Sequence, residues 1–307
     1  MKKIFLIVII LCTVMTAVSC GEKHDENTVV IIGGHDVTRD EYEYFYINTK
    51  ADLGTDIDNK ALTDKVLATL KRHYAVYSLA EKYDLKLTKE MKDAVNEKIE
   101  ETIDSFGGEN EYNNQLSMNY MTGDIYREIL EIEQLEIALR EYLFNEFTSD
   151  IDADDEAVEA DFNANFVRAT HILIVHNNGF TDKENRELAE ELRNRITNGE
   201  DFTDLQKEYG QDIGIDYTNG YYLTQGLYNE TFEDTAYSLG IDEISGVVES
   251  SVGFHIIKRM PLDINYLYNN FEDIRYIYKN RVVNERLDAD AETLSVEYTE
   301  LYDEINK

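Results

Sequence analysis

Two short apolar runs, each holding one histidine, bracket the middle of the chain: Ala169-Thr170-His171-Ile172-Leu173-Ile174 and Gly253-Phe254-His255-Ile256-Ile257-Lys258. Runs of this composition, bounded by polar or glycine-containing turns, suit interior strands of a sheet. Between them three stretches repeat apolar residues at helical spacing, each followed by a glycine placed to cap it. Asp182 to Asn198 aligns Leu188, Leu192 and Ile196 ahead of Gly199, and Phe202 to Tyr209 aligns Phe202, Leu205 and Tyr209 ahead of Gly210. Phe232 to Leu239 aligns Phe232, Ala236 and Leu239 ahead of Gly240. The pattern predicts a module from Phe166 to Met260 in the order strand, helix, helix, helix, strand, with a histidine near each end.

The flanks read as helical. Thr28 to Ile32 is a small apolar strand, Gly33-Gly34 a turn, and Thr38-Arg39-Asp40-Glu41 a capping box that starts a helix. Leu62, Val66, Leu70, Tyr74 and Tyr77 form one helical stripe, and Ile125, Ile129, Ile132, Leu135, Leu139 and Leu143 form another. Phe106-Gly107-Gly108 ends one helix before the next takes up Tyr112 and Leu116. The acidic run from Asp150 to Glu156 imitates a calcium loop, with Asp161 at its twelfth position. It lacks the glycine such a loop needs at its sixth position, where Asp155 stands, and the bidentate glutamate at its twelfth. It reads instead as a linker and a helix from Asp154 to Asn163, whose first-turn carboxylates suit the helix dipole. Beyond Pro261, the sole proline, Phe271, Ile274, Tyr278 and Val282 repeat helically, and a last helix is expected to hold Leu294, Tyr298 and Leu301. An apolar stripe at the C-terminus needs a partner, because an isolated helix of this length is marginal in water.

Composition adds two constraints. The chain opens with Met1-Lys2-Lys3, an apolar run from Ile4 to Val14, and Ala17-Val18-Ser19-Cys20. A basic start, an apolar core too short to span a bilayer and small residues before the cut describe a secretory signal. Cys20 directly after it makes the segment similar to bacterial lipoprotein signals, in which that cysteine is acylated, although Ala17 stands where leucine is usual. An ordinary signal peptide with an incidental cysteine is the alternative. Cleavage before Cys20 would remove Cys12 of the two cysteines, leaving no internal disulfide, and would take the formal charge from −34 to −36 by removing Lys2 and Lys3. So acidic a chain is unsuited to nucleic acid, and to electrostatic adhesion on anionic lipid; acyl chains on Cys20 would do the anchoring.

The ordered blocks Ala169-Thr170-His171-Ile172-Leu173, Gly199-Glu200-Asp201-Phe202, Tyr209-Gly210-Gln211-Asp212, Gly220-Tyr221-Tyr222-Leu223-Thr224-Gln225-Gly226, Phe232-Glu233-Asp234, Glu243-Ile244-Ser245-Gly246 and Gly253-Phe254-His255-Ile256-Ile257 resemble the parvulin family of peptidyl-prolyl cis-trans isomerases. The helical flanks resemble those of extracytoplasmic parvulin foldases, the PrsA-like and SurA-like proteins. The resemblance implies an α+β fold in which a parvulin-like domain, a small antiparallel sheet surrounded by helices, is inserted in a mainly helical chaperone domain built from both chain ends. The implied segments are a signal peptide over 1–19, a tether over 20–27, a helical N-terminal domain over 28–162, the isomerase domain over 163–260 and C-terminal helices over 261–307 returning to the N-terminal domain.

It also implies roles. His171 and His255 match the family's paired histidines, Asp212 the acidic or thiol position near the substrate carbonyl, and Ser250 a hydroxyl joined to the histidines. Phe232 matches the aromatic wall of the proline pocket, Leu223 falls on the substrate side, and Tyr228 stands where methionine is usual. Two departures follow: Tyr217-Thr218-Asn219-Gly220-Tyr221 replaces a Gly-Gly-Asp-Leu-Gly turn, and Val175-His176-Asn177-Asn178-Gly179 lacks the basic cluster of phosphate-directed parvulins. The remaining histidines, His24, His35, His73 and His176, show no metal-ligand spacing, and no phosphate loop or nucleophile elbow is present. The expectation is a cofactor-free, metal-free foldase, lipid-anchored in a bacterial envelope, acting on unfolded or folding exported proteins with Xaa-Pro bonds. A non-catalytic holdase and a surface adhesive lipoprotein remain as alternatives.

Overall fold

The computed structural model describes residues 26–54, 57–145 and 150–306, so the leader, Cys20 and most of the tether lie outside the described residues. The chain divides into two compact units, Met1–Glu141 with Glu285–Lys307, and Tyr142–Asn284.

The first unit contains β1 (Thr28–Ile32), β2 (His35–Thr38), α1 (Arg39–Leu53), α2 (Asn59–Lys82), α3 (Lys89–Phe106), α4 (Glu109–Met118) and most of α5 (Gly123–Phe144). The second contains α6 (Asp155–Asn165), β3 (Val167–Val175), α7 (Asp182–Thr197), α8 (Phe202–Tyr209), β4 (Tyr221–Leu223), α9 (Glu230–Ser238), β5 (Ile244–Glu249), β6 (Gly253–Met260), α10 (Ile264–Asn269) and the start of α11 (Phe271–Thr293). The first unit is then completed by the end of α11, β7 (Val296–Tyr298) and α12 (Glu300–Ile305).

In the first unit Thr38 caps α1 by accepting the Glu41 N–H at 3.4 Å. The turn after β1 uses Gly33 and Gly34, both at positive φ. β1 is buried along its whole length and lies between β2 and β7, with Val30 opposite Tyr298. The expected last helix through Leu294, Tyr298 and Leu301 is therefore not one element. Leu294 follows α11, Tyr298 belongs to β7, and Leu301 to α12. The backbone of Val296–Tyr298 satisfies the second edge of β1, a demand that helical spacing does not reveal. Leu294, Val296, Leu301 and Tyr302 pack on the core that holds Val30, Ile32, Leu62 and Leu70.

The second unit is built on an antiparallel sheet of order β4-β3-β6-β5. β4 and β5 are additions to the predicted order; β4 has three residues, too few to show a period. Alternation along β3 and β6 sorts their side chains between two faces. Ile172, Ile174, Phe254 and Ile256 meet α7 and α8 through Ala189, Leu192, Phe202 and Leu205. Val167, Ala169 and Ile257 meet α9 through Phe232 and Ala236. His171 and His255 have the parity of this second set. Register places His171 opposite Ile257 and Leu173 opposite His255, so the histidines are diagonal neighbours under α9.

Of the three capping glycines expected, only Gly199 is left-handed, at φ +99°. Gly210 caps α8 in an extended conformation at φ −63°, and what it provides is space: a Cβ there would sit 2.4 Å from the Gln206 carbonyl oxygen. Gly240 is not left-handed, and Leu239 is the cap of α9.

Candidate active site

Asp212 reaches the histidines because the chain after α8 runs along β3. The Gln206 Nε2 group donates to Thr170 Oγ1 at 2.6 Å and to the His171 carbonyl at 2.7 Å, fixing α8 on the strand. After Gly210, the Gln211 N–H donates to the Leu173 carbonyl at 2.9 Å, and its Oε1 accepts the Val175 N–H at 2.8 Å. Asp212 is thereby set beside His171, with Nε2 and Oδ2 2.8 Å apart.

The two imidazoles face each other through their Nδ1 atoms at 3.0 Å, and His255 Nε2 lies 2.7 Å from Ser250 Oγ. The Asp212 carboxyl is held well below the usual carboxylate range, first by the hydrogen bond from His171, then by the Gly214 N–H on Oδ1 and the Tyr221 hydroxyl on Oδ2. It is therefore an acceptor, and His171 Nε2 carries a proton toward it. Each neutral imidazole has one donor and one acceptor nitrogen. With both rings neutral, a single arrangement satisfies every contact. Ser250 donates to His255 Nε2, His255 Nδ1–H donates to His171 Nδ1, and His171 Nε2–H donates to Asp212. Burial pushes the His255 ring down to about 4, which keeps it neutral at pH 7.

Phe232 covers this chain, its ring 5.0 Å from His171 and 5.6 Å from His255. Tyr221 approaches His171 edge-on at 6.0 Å and lies 5.3 Å from Tyr228. Burial and the Asp212 carboxylate push the Tyr221 hydroxyl up, so it stays a donor. The loop carrying Tyr228 is fixed from below: the buried Glu233 carboxylate accepts the N–H groups of Gly226, Leu227 and Tyr228 at 2.7–2.9 Å.

The structure brings His171, His255, Ser250, Asp212 and Phe232 into one cluster, with Tyr228 at its exposed rim. Leu223, expected on the substrate side, is instead wholly buried, because its pairing with Val167 turns it into the cluster beneath Phe232. Cys20 lies outside the described residues. Sequence reasoning missed Tyr221, Gln206 and Glu233. Tyr221 and Glu233 stood within matching blocks with no role attached to them, and Gln206 read as an ordinary helix residue. Among the described residues, Glu41, His73 and Glu128 are the one group of three whose donor atoms converge in the manner of metal ligands, within 4.8 Å of one another, and this group belongs to the first unit.

Paired histidines, a hydrogen-bonded aspartate and an aromatic wall describe a site able to act on conformation. Residues 157–260 match the family model of the PPIC-type PPIase domain and belong to that family. The chain thus carries a parvulin-type peptidyl-prolyl cis-trans isomerase domain. Over most of its length it is similar to proteins named foldase PrsA. It is 25% identical over 312 residues to that of Caldanaerobacter subterraneus subsp. tengcongensis, covering 94% of this chain and 93% of the relative. It is 28% identical over 262 residues to foldase protein PrsA 1 of Listeria monocytogenes, covering 84% and 75%. Among solved structures, PrsA from Bacillus anthracis aligns at 20% identity and TM-score 0.32 over 73% of this chain and 95% of that one. NmPin, the parvulin of Nitrosopumilus maritimus, aligns at 32% identity and TM-score 0.26 over 32% and 98%.

The His255 ring predicts a pH dependence. A folded value of about 4 against an ordinary 6.5 means that this histidine contributes stability above pH 6.5, which is lost as pH falls toward 4. Native-state hydrogen exchange of the β3 and β6 amides should show protection declining across that window, and His255→Asn should flatten the decline. An equal slope in the variant would remove His255 as its source.

Proposed function

We propose that this chain is a foldase for exported proteins whose catalytic group is the carboxylate at the end of the Ser250–His255–His171–Asp212 chain. That continuous chain of hydrogen bonds beneath Phe232 is the observation that carries the reading. Rotation about the peptide bond meets a barrier of about 18–20 kcal/mol, because resonance places positive charge on nitrogen and negative charge on the carbonyl oxygen. Twisting withdraws that oxygen charge. A fixed carboxylate near the carbonyl therefore disfavours the planar amide more than the twisted one, which is differential stabilisation of the transition state. No covalent step is required. The proline ring would rest on the Phe232 side, Tyr228 would close its outer edge, and Leu223 would support the wall from behind. Exchange before proline takes tens to hundreds of seconds unaided, slow enough to limit client folding.

Expected on the same reading is a lipid anchor. Cys20, at the end of a signal-like segment, would carry acyl chains and hold residues 28–307 outside the cytoplasm, with unfolded exported chains bearing Xaa-Pro bonds as clients. The first unit, which includes both described chain ends, would grip those clients. It carries a cavity of about 330 Å³ lined in part by Tyr44, Phe106, Leu116, Met121 and Tyr126. A second reading, a holdase without catalysis, is favoured by one observation: Phe232 is only 4% exposed, with Tyr228 beside it.

Exchange of an Ala-Pro peptide followed by NMR separates the two readings. The chain beginning after Cys20 should accelerate it, and Asp212→Ala should lose roughly a hundredfold, the scale of one preorganised electrostatic contact. His171→Ala should lose a similar amount. Suppressed client aggregation with no acceleration would favour the holdase. For the anchor, the full-length chain should partition with membranes and take up labelled palmitate, and Cys20→Ser should do neither; membrane association that survives this change would refute lipidation there.

A further inference from the structure

We propose that the site favours clients with lysine or arginine beside the proline over those with aspartate or glutamate, and that Asp212 sets this preference. The inference rests on the assignment of Asp212 to the reacting amide made above.

Three observations carry it. First, the donors to Asp212 are an imidazole, a phenol and a backbone N–H; among the described residues no lysine or arginine pairs with it, and its side chain is 19% exposed. Its charge is fixed, uncompensated by a cation and open to whatever lies over the site.

Second, two arginines on the strands of the same sheet are committed elsewhere. Arg168 is tied to the carbonyls of Thr218, Asn219 and Pro261, and Arg259 donates to the carbonyl of Ala236. Exposed Asp216 and Glu230 add negative charge near the loops that bear Asp212 and Tyr228. The chain as a whole carries a formal −34, so a basic segment is drawn toward it from a distance and an acidic one is repelled.

Third, Tyr228 is 39% exposed and lies 5.3 Å from Tyr221, whose hydroxyl bonds Asp212. An aromatic ring beside a carboxylate receives a cation on a long aliphatic stem: the charge meets the ring face and the carboxylate, and the stem covers apolar surface. Exposed Ile213 and Leu227 offer that surface. A glutamate in the same place would bring a second carboxylate to Asp212 with no cation to separate them.

The test is a series of Ala-Xaa-Pro-Phe peptides with Xaa lysine, leucine or glutamate, followed by exchange NMR at 20 mM and 0.5 M salt. The expected lysine-to-glutamate ratio of kcat/KM is about tenfold at low salt and within about twofold at high salt, where the Debye length falls below ~5 Å. Leucine should lie between them and respond little to salt. Equal turnover of the lysine and glutamate peptides at low salt, or a ratio indifferent to salt, overturns the preference and leaves the isomerase site standing. Inertness toward all three overturns the site assignment and the preference with it. Shift titrations of the same peptides against Asp212→Asn read the ratio in binding, so lost turnover does not conceal it. The ratio should fall toward one, and a ratio unchanged from wild type overturns the assignment to Asp212.

Discussion

A buried imidazole must find partners for both ring nitrogens, and in this protein two of them solve the problem together. An unsatisfied buried polar group costs about 1–3 kcal/mol, more than the roughly 1 kcal/mol a typical hydrogen bond contributes net. The Nδ1–Nδ1 contact between His171 and His255 therefore leaves little freedom to the groups at its ends. Once Asp212 is an ionised acceptor, every proton in the chain has one place to be. The strands, the turn after β5 and the segment after α8 all converge on these four side chains, and their packing can be understood as the means of holding them in line.

That requirement explains otherwise unremarkable residues. Gln206 pins α8 to the very residue whose side chain needs Asp212. Gly210 lacks a Cβ because the chain must turn tightly over the Gln206 carbonyl before running along β3. Gly253 admits the close approach of Ile174, where a Cβ would lie 2.2 Å from its carbonyl oxygen, at the start of the strand that bears His255. Glu233 spends its whole carboxylate on three backbone N–H groups, which makes the Tyr228 loop part of the scaffold.

Much of this was legible in the sequence. The strand parity of His171 and His255, the stripes of α7 and α8, the linker at Asp150 and the N-cap at Thr38 follow from local periodicity and side-chain chemistry. What escaped were features set by pairing at a distance. β7 exists because β1 has a second edge to satisfy, and β4 is too short to show a period. Leu223 looked like a pocket residue until its register with Val167 turned it inward. Tyr221 replaces a small-residue turn, and only the fold shows that its hydroxyl reaches Asp212. The site's chemistry was thus readable where strand and helix periods carried it, and hidden where a loop delivered it.

The most direct test of the ordered chain is the protonation state of its two rings, read from imidazole ¹⁵N shifts at pH 7. The account predicts two different tautomers, with His255 carrying its proton on Nδ1 and His171 carrying its proton on Nε2. A His171 ring protonated on Nδ1, or a His255 ring protonated on Nε2, would contradict it, because the chain would then no longer run from Ser250 to an ionised Asp212.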